Sequence, residues 1–560
     1  MRARNLLNSL RARFSSLRMV DIQLTGGITT KSANPDRHHN DELFRYTSGR
    51  WIYNENLRLS ERHLVFDVSA LKSIIASSSG RAPSDIVDFS KLSEGGFNRV
   101  FQARFKDGQC LIARLPYPST TPEHYAIASE VATLDYLRLH GIRTPKVYAW
   151  CSTKTNPVGS EYIIMEKLGG LPLGDVWYTM TPREQHGMMK KIVHWEAQLM
   201  SLSFPAYGSI YYRKDLTSEK KISLPWQNDV EFCMGPISHY SWWHGGRNTL
   251  NVDRGPWLSS TGIFRAVGER ESSWTKLHAK PRLPYELSPD THVRNLSDYL
   301  KLSPFLGFGA GTALRRPVIR HPDFQPNNIL VSNANEIVGF IDWQHASILP
   351  LGLAAGIPQH FQNYGDPHSD ELREPQLELP SNFDSLSPSE QASVRETQQK
   401  RLVHFLYAAF TKRLNELHYD AIFDNSAILH QRLFKSAGTP WEGGSVTLRA
   451  DMIRAIQSWG DVVASGPVPA PSSPPIQYSD GVVQDTLDLD SRQREADIAM
   501  EQMRHALGID VLGWVLNSEY EAAKELAGEM KARMLEAAKT AEDITGVRDH
   551  FPFDDFDESA

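Results

Sequence analysis

The sequence predicts an α+β protein with two lobes, in which a five-stranded antiparallel sheet is followed by a mainly helical lobe. Five short apolar runs between Ile86 and Glu166 have the length of strands, and one helical stretch separates the third run from the fourth. After Gly169-Gly170 the apolar residues recur at helical spacing. A chain of 560 residues is also too long for one simple domain, which favours two lobes with extensions.

The composition excludes several classes of protein. Hydrophobic residues make up 41% of the chain, enough for large cores, and the net charge of −6 gives no reason to expect a nucleic-acid partner. Cys110, Cys151 and Cys233 are the only cysteines and lie far apart, so we expect neither a disulfide framework nor a cysteine-rich zinc site. No apolar run is long enough to predict a transmembrane segment.

The first residues differ from the rest of the chain. Residues 1–20 contain five arginines and no acidic residue, and leucines and a phenylalanine recur there at helical spacing. This pattern is typical of a mitochondrial transit peptide. The polar residues that follow read as a linker, so we assign 1–40 to transit peptide and linker and predict a mitochondrial location. A disordered basic arm or a surface helix without a targeting role is the alternative.

Residues 41–84 are predicted to be an N-terminal extension that packs against the first lobe, and residues 85–170 are predicted to form that lobe. Its elements follow from short apolar runs, from the turn Lys106-Asp-Gly108 and from a helix start at Thr121-Pro-Glu123. The expected strands are Ile86–Phe89, Val100–Phe105, Cys110–Leu115, Lys146–Trp150 and Tyr162–Glu166, and the helix runs to about His140.

Residues 171–480 are predicted to be the helical lobe. Thr181-Pro-Arg-Glu184 has the form of a capping box with proline at the first helical position. Residues 205–300 are rich in Trp, Tyr, Gly and Pro, and we expect an irregular insertion there that could shape a substrate site. Residues 481–560 are predicted to be C-terminal helices that end in an acidic tail.

The most informative motif is His321-Pro-Asp323-Phe-Gln-Pro-Asn-Asn328, followed by Ile341-Asp342-Trp343 at the end of an apolar run. The first segment resembles the catalytic loop of kinase-like phosphotransferases, and Asp342 resembles their metal-binding aspartate. Asp and Asn are also common turn formers. Their spacing, a flanking strand and a second Asp after the next strand are much less expected by chance.

The resemblance implies roles for these residues. Asp323 would accept or orient the proton of the substrate hydroxyl, while Asn328 and Asp342 would bind Mg²⁺ ions that bridge the phosphates of ATP. His321 would brace the loop rather than transfer a proton.

The first lobe contains residues that would bind the nucleotide. Gly95-Gly96 lies between the first two strands and could cradle phosphates with its N–H groups, although such a pair is often just a turn. Arg114, on the third strand, stands where a phosphate-binding Lys is usual, with Glu130 as the expected partner. Arginine is bulkier than lysine and has a forked guanidinium group. The alternative interpretation of Arg114 is an arginine on a strand surface that pairs with any nearby carboxylate. Glu166 ends the fifth strand, where the backbone of the hinge would hold adenine.

Other candidates have simpler explanations. His38-His39 and His360 have no second ligand at metal-binding spacing, so solvated or satisfied histidines are expected. The Trp242-Trp243-His244 cluster could stack on a substrate, but core packing is the better interpretation.

Taken together, the chain resembles the aminoglycoside phosphotransferase and choline-kinase-like superfamily. Four segments are similar to its fungal altered inheritance of mitochondria protein nine family: Phe44–Trp51, Gly95–Phe101, Arg320–Asn328 and Ile341–Trp343. The resemblance implies a bilobal protein-kinase-like fold and a mitochondrial address. It does not identify the acceptor, because a fold does not fix a substrate.

The sequence therefore favours an ATP- and Mg²⁺-dependent phosphotransferase that acts on a hydroxyl of a small molecule. The alternative is a catalytically inactive kinase-like scaffold that binds nucleotide and takes part in mitochondrial maintenance, which Arg114 in the lysine position favours. Protein kinase activity is a weaker third hypothesis, because Asp342 is followed by Trp343 and not by Phe-Gly. The acceptor and the oligomeric state stay open.

Overall fold

A five-stranded antiparallel sheet forms the N-terminal lobe, and helices form most of the C-terminal lobe, as the sequence predicts. The computed structural model describes residues 39–225, 231–280, 288–376, 378–469 and 471–557. The expected transit peptide and His38 lie outside these residues.

The described strands are short. They are β1 (Gly49–Trp51), β2 (Ile86–Glu94), β3 (Asn98–Phe105), β4 (Cys110–Pro116), β5 (Val147–Cys151), β6 (Tyr162–Glu166), β7 (Leu171–Pro172), β8 (Ser209–Tyr212), β9 (Ile222–Leu224), β10 (Phe232–Gly235), β11 (Pro317–Ile319), β12 (Ile329–Val331), β13 (Ile337–Phe340), β14 (Ile348–Pro350) and β15 (Trp514–Leu516).

Most of the described α-helices follow the N-terminal sheet in the chain. They are α1 (His39–Phe44), α2 (Glu55–Glu61), α3 (Val68–Ser78), α4 (Tyr125–Leu139), α5 (Leu173–Trp177), α6 (Pro182–Met200), α7 (Ser260–His278), α8 (Pro289–Leu302), α9 (Leu351–Ala354), α10 (Pro367–Asp370), α11 (Pro388–Leu414), α12 (Glu416–Ile422), α13 (Asn425–Gly438), α14 (Val446–Gln457), α15 (Trp459–Ala464), α16 (Asp480–Leu507), α17 (Tyr520–Ala537) and α18 (Ala541–His550). None of them is long and apolar enough to cross a membrane.

The N-terminal sheet has the strand order β2-β3-β4-β6-β5, with every pair antiparallel. Gly108, at φ +84°, makes the tight turn between β3 and β4, where a side chain would be strained. Helix α4 follows the third strand, as expected, and is buried on most sides because it packs against both this sheet and β8. The predicted order of strands and helix is confirmed.

The extension before the sheet packs onto it. Asp67 caps α3 by accepting the N–H of Ala70 at 2.7 Å, and Leu71 and Ile75 of that helix enter the same core as Phe101 of β3. Strand β1 pairs with β15 near the other end of the chain. The division into an extension, two lobes and a C-terminal segment stays a prediction.

The C-terminal lobe is built around α6. Thr181 and Glu184 form the predicted capping box, and the apolar face of the helix is buried. One large core unites this face with α7, α8, α11 and α13.

The expectation that residues 205–300 are irregular is wrong for much of that range. Strands β8, β9 and β10 form a three-stranded sheet, and α7 and α8 are regular helices. Glycines such as Gly268 and the frequent aromatic residues made the helical pattern hard to recognise in the sequence. Gly268 is required by packing, since a Cβ there would lie 2.8 Å from the Tyr299 ring.

Candidate active site

Asp323 lies in the loop between β11 and β12, and its carboxylate is positioned by Asn328. The Asn328 side-chain amide donates to the Asp323 carbonyl at 2.9 Å and to its carboxylate at 3.1 Å. Asn328 is buried in a short 3₁₀ turn, whereas Asp323 is exposed. The loop therefore exposes the Asp323 carboxylate to solvent while the buried Asn328 holds it in place.

Asp342 lies beside this loop, directly after β13. The N–H of Ile341 donates to the carbonyl of Asn328 at 3.0 Å, which fixes the two segments to each other. Asp342 has a φ of +63°, a left-handed conformation that Asp adopts more readily than most residues. Such strain is found most often at functional sites. Its side chain is 48% exposed and is accessible to a ligand.

His321 connects the two aspartate segments. Its Nδ1 accepts the N–H of Asp323 at 3.2 Å, so its Nε2 carries the hydrogen that it donates to the Ile341 carbonyl at 2.8 Å. Burial lowers the pKa of His321 and keeps the ring neutral. Because both ring nitrogens are engaged, the geometry suits a brace and not a proton carrier.

Arg114 joins the N-terminal lobe to Asp342. Its Nη1 donates to the Asp342 carboxylate at 3.1 Å, and its Nη2 pairs with Glu130 on α4. Arg114 is only 6% exposed and Glu130 only 2%. Burial lowers the pKa of Arg114, and Asp342 opposes that effect. The forked guanidinium therefore holds two carboxylates from different parts of the chain.

We expect Arg114→Lys to weaken this bridge, because a single ammonium cannot reach both carboxylates with the same geometry. The loss should be roughly 1–3 kcal/mol of unfolding free energy, the usual cost of removing a buried hydrogen bond to a charged group. Urea unfolding followed by fluorescence measures it. An unchanged midpoint would contradict the bridging role.

The glycine loop, residues Gly95-Gly96-Phe97, is anchored by the residues that flank it. Glu94 and Arg99 form an ion pair of 2.9 Å whose side chains have no exposed surface, and Arg99 also donates to the carbonyl of Leu43 in the extension. A Cβ added to Gly96 would meet nothing within 4 Å. The tip of the loop is therefore exposed backbone on a rigid base.

Glu166 lies apart from this cluster. Its carboxylate accepts the N–H of Lys146 at 3.1 Å and lies 3.6 Å from Arg138. Leu168, two residues later, packs against Gly339 of β13, where a Cβ would come within 2.8 Å of it. The segment after β6, which is expected to hold adenine, thus contacts the strand that leads to Asp342 through Leu168. Any contribution of Glu166 to nucleotide binding would come from its backbone.

Two residues beside the cluster, Gln344 and His345, were not singled out from the sequence, and both contact the segment around the glycine loop. The side-chain amide of Asn98, directly after the glycine loop, donates to the side-chain amide oxygen of Gln344 at 2.5 Å. The Phe97 ring packs edge-on against His345, with centroids 5.0 Å apart. The sequence position of Gln344 and His345 just after Asp342 was the only available signal.

A second missed group fixes the start of the catalytic loop. Arg320 donates to the Glu196 carboxylate of α6 at 2.6 Å and 2.9 Å, and the Tyr407 hydroxyl donates to the other oxygen of that carboxylate at 2.5 Å. Burial acts to raise the pKa of Glu196, but Arg320 and its other partners outweigh it, so the pKa is lowered. A buried carboxylate therefore holds the residue that precedes His321.

The remaining candidates have structural explanations. Trp242 and Trp243 lie in the core of the C-terminal lobe, which confirms the packing interpretation. His360 is exposed. Within the described ranges, no three His, Cys, Asp or Glu residues form a group that could hold a metal ion.

The donor set of the cluster nevertheless fits Mg²⁺. This ion takes oxygen ligands and usually binds one or two protein side chains together with substrate phosphates. The exposed Asp342 carboxylate supplies one such ligand. Asn328 points its amide nitrogen at Asp323, which leaves its amide oxygen as a second.

Comparisons with known proteins identify the family of the chain. The family model "Phosphotransferase enzyme family" matches residues 88–236 and 264–353. A subtelomeric hrmA-associated cluster protein of Aspergillus fumigatus is 31% identical over 81% of this chain and 94% of its own length. Proteins named altered inheritance of mitochondria protein 9, mitochondrial, are 27% identical in Yarrowia lipolytica, over 68% of this chain and 70% of theirs, and 23% identical in Kluyveromyces lactis, over 70% and 74%.

Solved structures are more distant. A thermostable mutant of aminoglycoside phosphotransferase APH(4)-Ia, in complex with AMP-PNP and hygromycin B, is 14% identical with a TM-score of 0.31 and covers 71% of this chain and 99% of that one. The streptomycin–ATP complex of APH(2")-IIa is 12% identical with a TM-score of 0.33 and covers 68% and 94%. Similarity at this level says nothing about the site.

Proposed function

The chain belongs to the altered inheritance of mitochondria protein 9 family, within the phosphotransferase enzyme family, and from this premise we propose that it transfers the γ-phosphate of ATP to a hydroxyl of a small molecule. The observation that carries the proposal is the convergence of Asp323, Asn328, Asp342 and Arg114. Phosphoryl transfer depends on positioning and on charge stabilisation, and these are the side-chain types that supply both.

Each residue has a role that its contacts support. Asp323 is exposed and held by Asn328, so it would orient the acceptor hydroxyl and accept its proton. Arg114, fixed by Glu130, would stabilise the phosphates. The N–H of Gly96, at the exposed tip of the glycine loop, would donate to them, whereas the Gly95 N–H already donates to the Asn98 carbonyl at 2.9 Å.

Mg²⁺ would be held by Asp342 and the Asn328 amide oxygen. The ion would supply positive charge that neutralises the phosphate oxygens. The Arg114–Asp342 contact fixes where that carboxylate lies relative to the glycine loop.

The protein is mitochondrial, in keeping with the names of its Yarrowia lipolytica and Kluyveromyces lactis relatives. We propose that residues 1–40 contain the transit peptide that directs it there.

The proposal is tested by following the label of γ-labelled ATP in the presence of Mg²⁺ and a small-molecule extract of mitochondria. We expect label to appear in a small molecule with the wild-type protein. With Asp323→Asn the rate should fall at least about a hundredfold, the usual contribution of a general base. Asp323→Asn that transfers label at the wild-type rate, with the same product, would overturn the assignment of Asp323.

One observation favours a second candidate, a nucleotide-binding scaffold without turnover. Arg114 stands where lysine is usual and is already engaged by Asp342. A scaffold of this kind would bind ATP and Mg²⁺ but label no small molecule in the same experiment.

A further inference from the structure

Two side-chain amides, from Asn98 and Gln344, meet where the chain leaves the glycine loop. Asn98 begins β3 directly after Phe97, and Gln344 lies two residues after Asp342. The Asn98 amide nitrogen donates to the Gln344 amide oxygen at 2.5 Å. This contact joins the start of β3, which follows the glycine loop, to the segment that follows the proposed metal ligand.

The pair is buried and only half satisfied. Gln344 is 5% exposed and Asn98 is 7% exposed. Within the described part of the chain, the Gln344 amide nitrogen and the Asn98 amide oxygen have no hydrogen-bond partner. Buried polar groups in native proteins are nearly always paired, so a buried N–H without an acceptor indicates a ligand or an ordered water at that point.

The surroundings select the kind of ligand. An amide N–H needs an acceptor oxygen, and Asp342, the proposed Mg²⁺ ligand, lies two residues from Gln344, where a metal-bound nucleotide would bring its phosphate oxygens. Neither Gly95 nor Gly96 packs closely against other atoms: a Cβ at Gly95 would come no nearer than 3.8 Å to the Asn98 carbonyl. Open space therefore lies beside both glycines, where a phosphate can approach, while Phe97 stays held by the Tyr117 N–H, which donates to its carbonyl at 2.9 Å.

We propose that the Gln344 amide nitrogen donates a hydrogen bond to the terminal phosphoryl group of a bound nucleoside triphosphate, and that this contact makes the site prefer the triphosphate to the diphosphate. The inference rests on the proposed function, since it assumes that the phosphates lie under the glycine loop. Gln344 would thereby let the site distinguish a triphosphate, which has a transferable phosphoryl group, from a diphosphate.

The test compares MgATP and MgADP binding to the full chain by calorimetry, with wild type, Gln344→Met and Gln362→Leu. Methionine has a similar length and no donor, and Gln362 is exposed and lies outside the cluster, so its variant is the matched control. We expect the wild type and the control to bind MgATP more tightly than MgADP. Gln344→Met should weaken MgATP binding about tenfold, the effect of one hydrogen bond to a charged group, and leave MgADP binding unchanged.

Each result decides the matter. Equal weakening of both nucleotides, or no weakening, overturns the role of Gln344 while the proposed function stands; in that case the amide contacts water or only the protein. Failure of the wild type to bind either nucleotide overturns the proposed function and this inference with it. If Gln344→Met does not fold, Gln344→Leu gives the same readout, because its side chain is also uncharged and has no N–H to donate.

Discussion

Replacing Asp342 by Ala is expected to reduce phosphoryl transfer about a thousandfold or more. The carboxylate is exposed and is the proposed metal ligand of the site, and charge stabilisation by a bound metal contributes several kcal/mol to such reactions. The same change removes one partner of Arg114, whose pairing with Glu130 should keep the strand in place. Initial rates of label transfer from γ-labelled ATP measure the effect.

The matched control is Asp384→Ala, which removes an exposed carboxylate far along the chain from the cluster. It should transfer label at the wild-type rate. If Asp342→Ala keeps more than about a tenth of the wild-type rate, a deficit of less than ~1.4 kcal/mol, Asp342 does not hold the metal.

Replacing Glu196 by Ala is expected to have the largest effect on stability. The change leaves Arg320 without its carboxylate partner in a buried setting, and breaking such a pair from one side costs about 3–5 kcal/mol. It also deprives the Tyr407 hydroxyl of its acceptor. Urea unfolding followed by tryptophan fluorescence measures the change in the midpoint.

Tyr407→Phe serves as the comparison, because it removes one hydroxyl and keeps the ion pair. We expect it to cost about 1–2 kcal/mol, clearly less than Glu196→Ala. A Glu196→Ala protein as stable as Tyr407→Phe would mean that Arg320 finds another partner and that the pair does not fix the catalytic loop.

The N-terminal lobe could be predicted because its signals are local. Strands β2 to β6 contain short apolar runs, and turn residues such as Gly108 separate β3 from β4. The helical lobe was harder. Residues 205–300 contain glycine and many aromatic residues inside regular elements, so their low helix propensity argued against helices. Packing against the core nevertheless stabilises α7 and α8 as helices.

The candidate site divides in the same way. Asp323, Asn328 and Asp342 could be predicted from spacing, because the loop and the strand that carry them are close in sequence. Asn98 and Gln344 are 246 residues apart, and Glu196 and Arg320 are 124 apart. No periodic pattern reports such contacts, since they depend on how distant elements pack. Glu166 was predicted by position alone, and its side chain faces Lys146 and Arg138.

The most direct test of the central claim is a calorimetric titration of the wild-type protein with ATP, with and without Mg²⁺. A metal–nucleotide site built from Arg114, Asn328 and Asp342 predicts one ATP bound per chain, with an affinity that falls sharply when Mg²⁺ is chelated. ATP binding that is indifferent to Mg²⁺, or no binding at millimolar ATP, would contradict it.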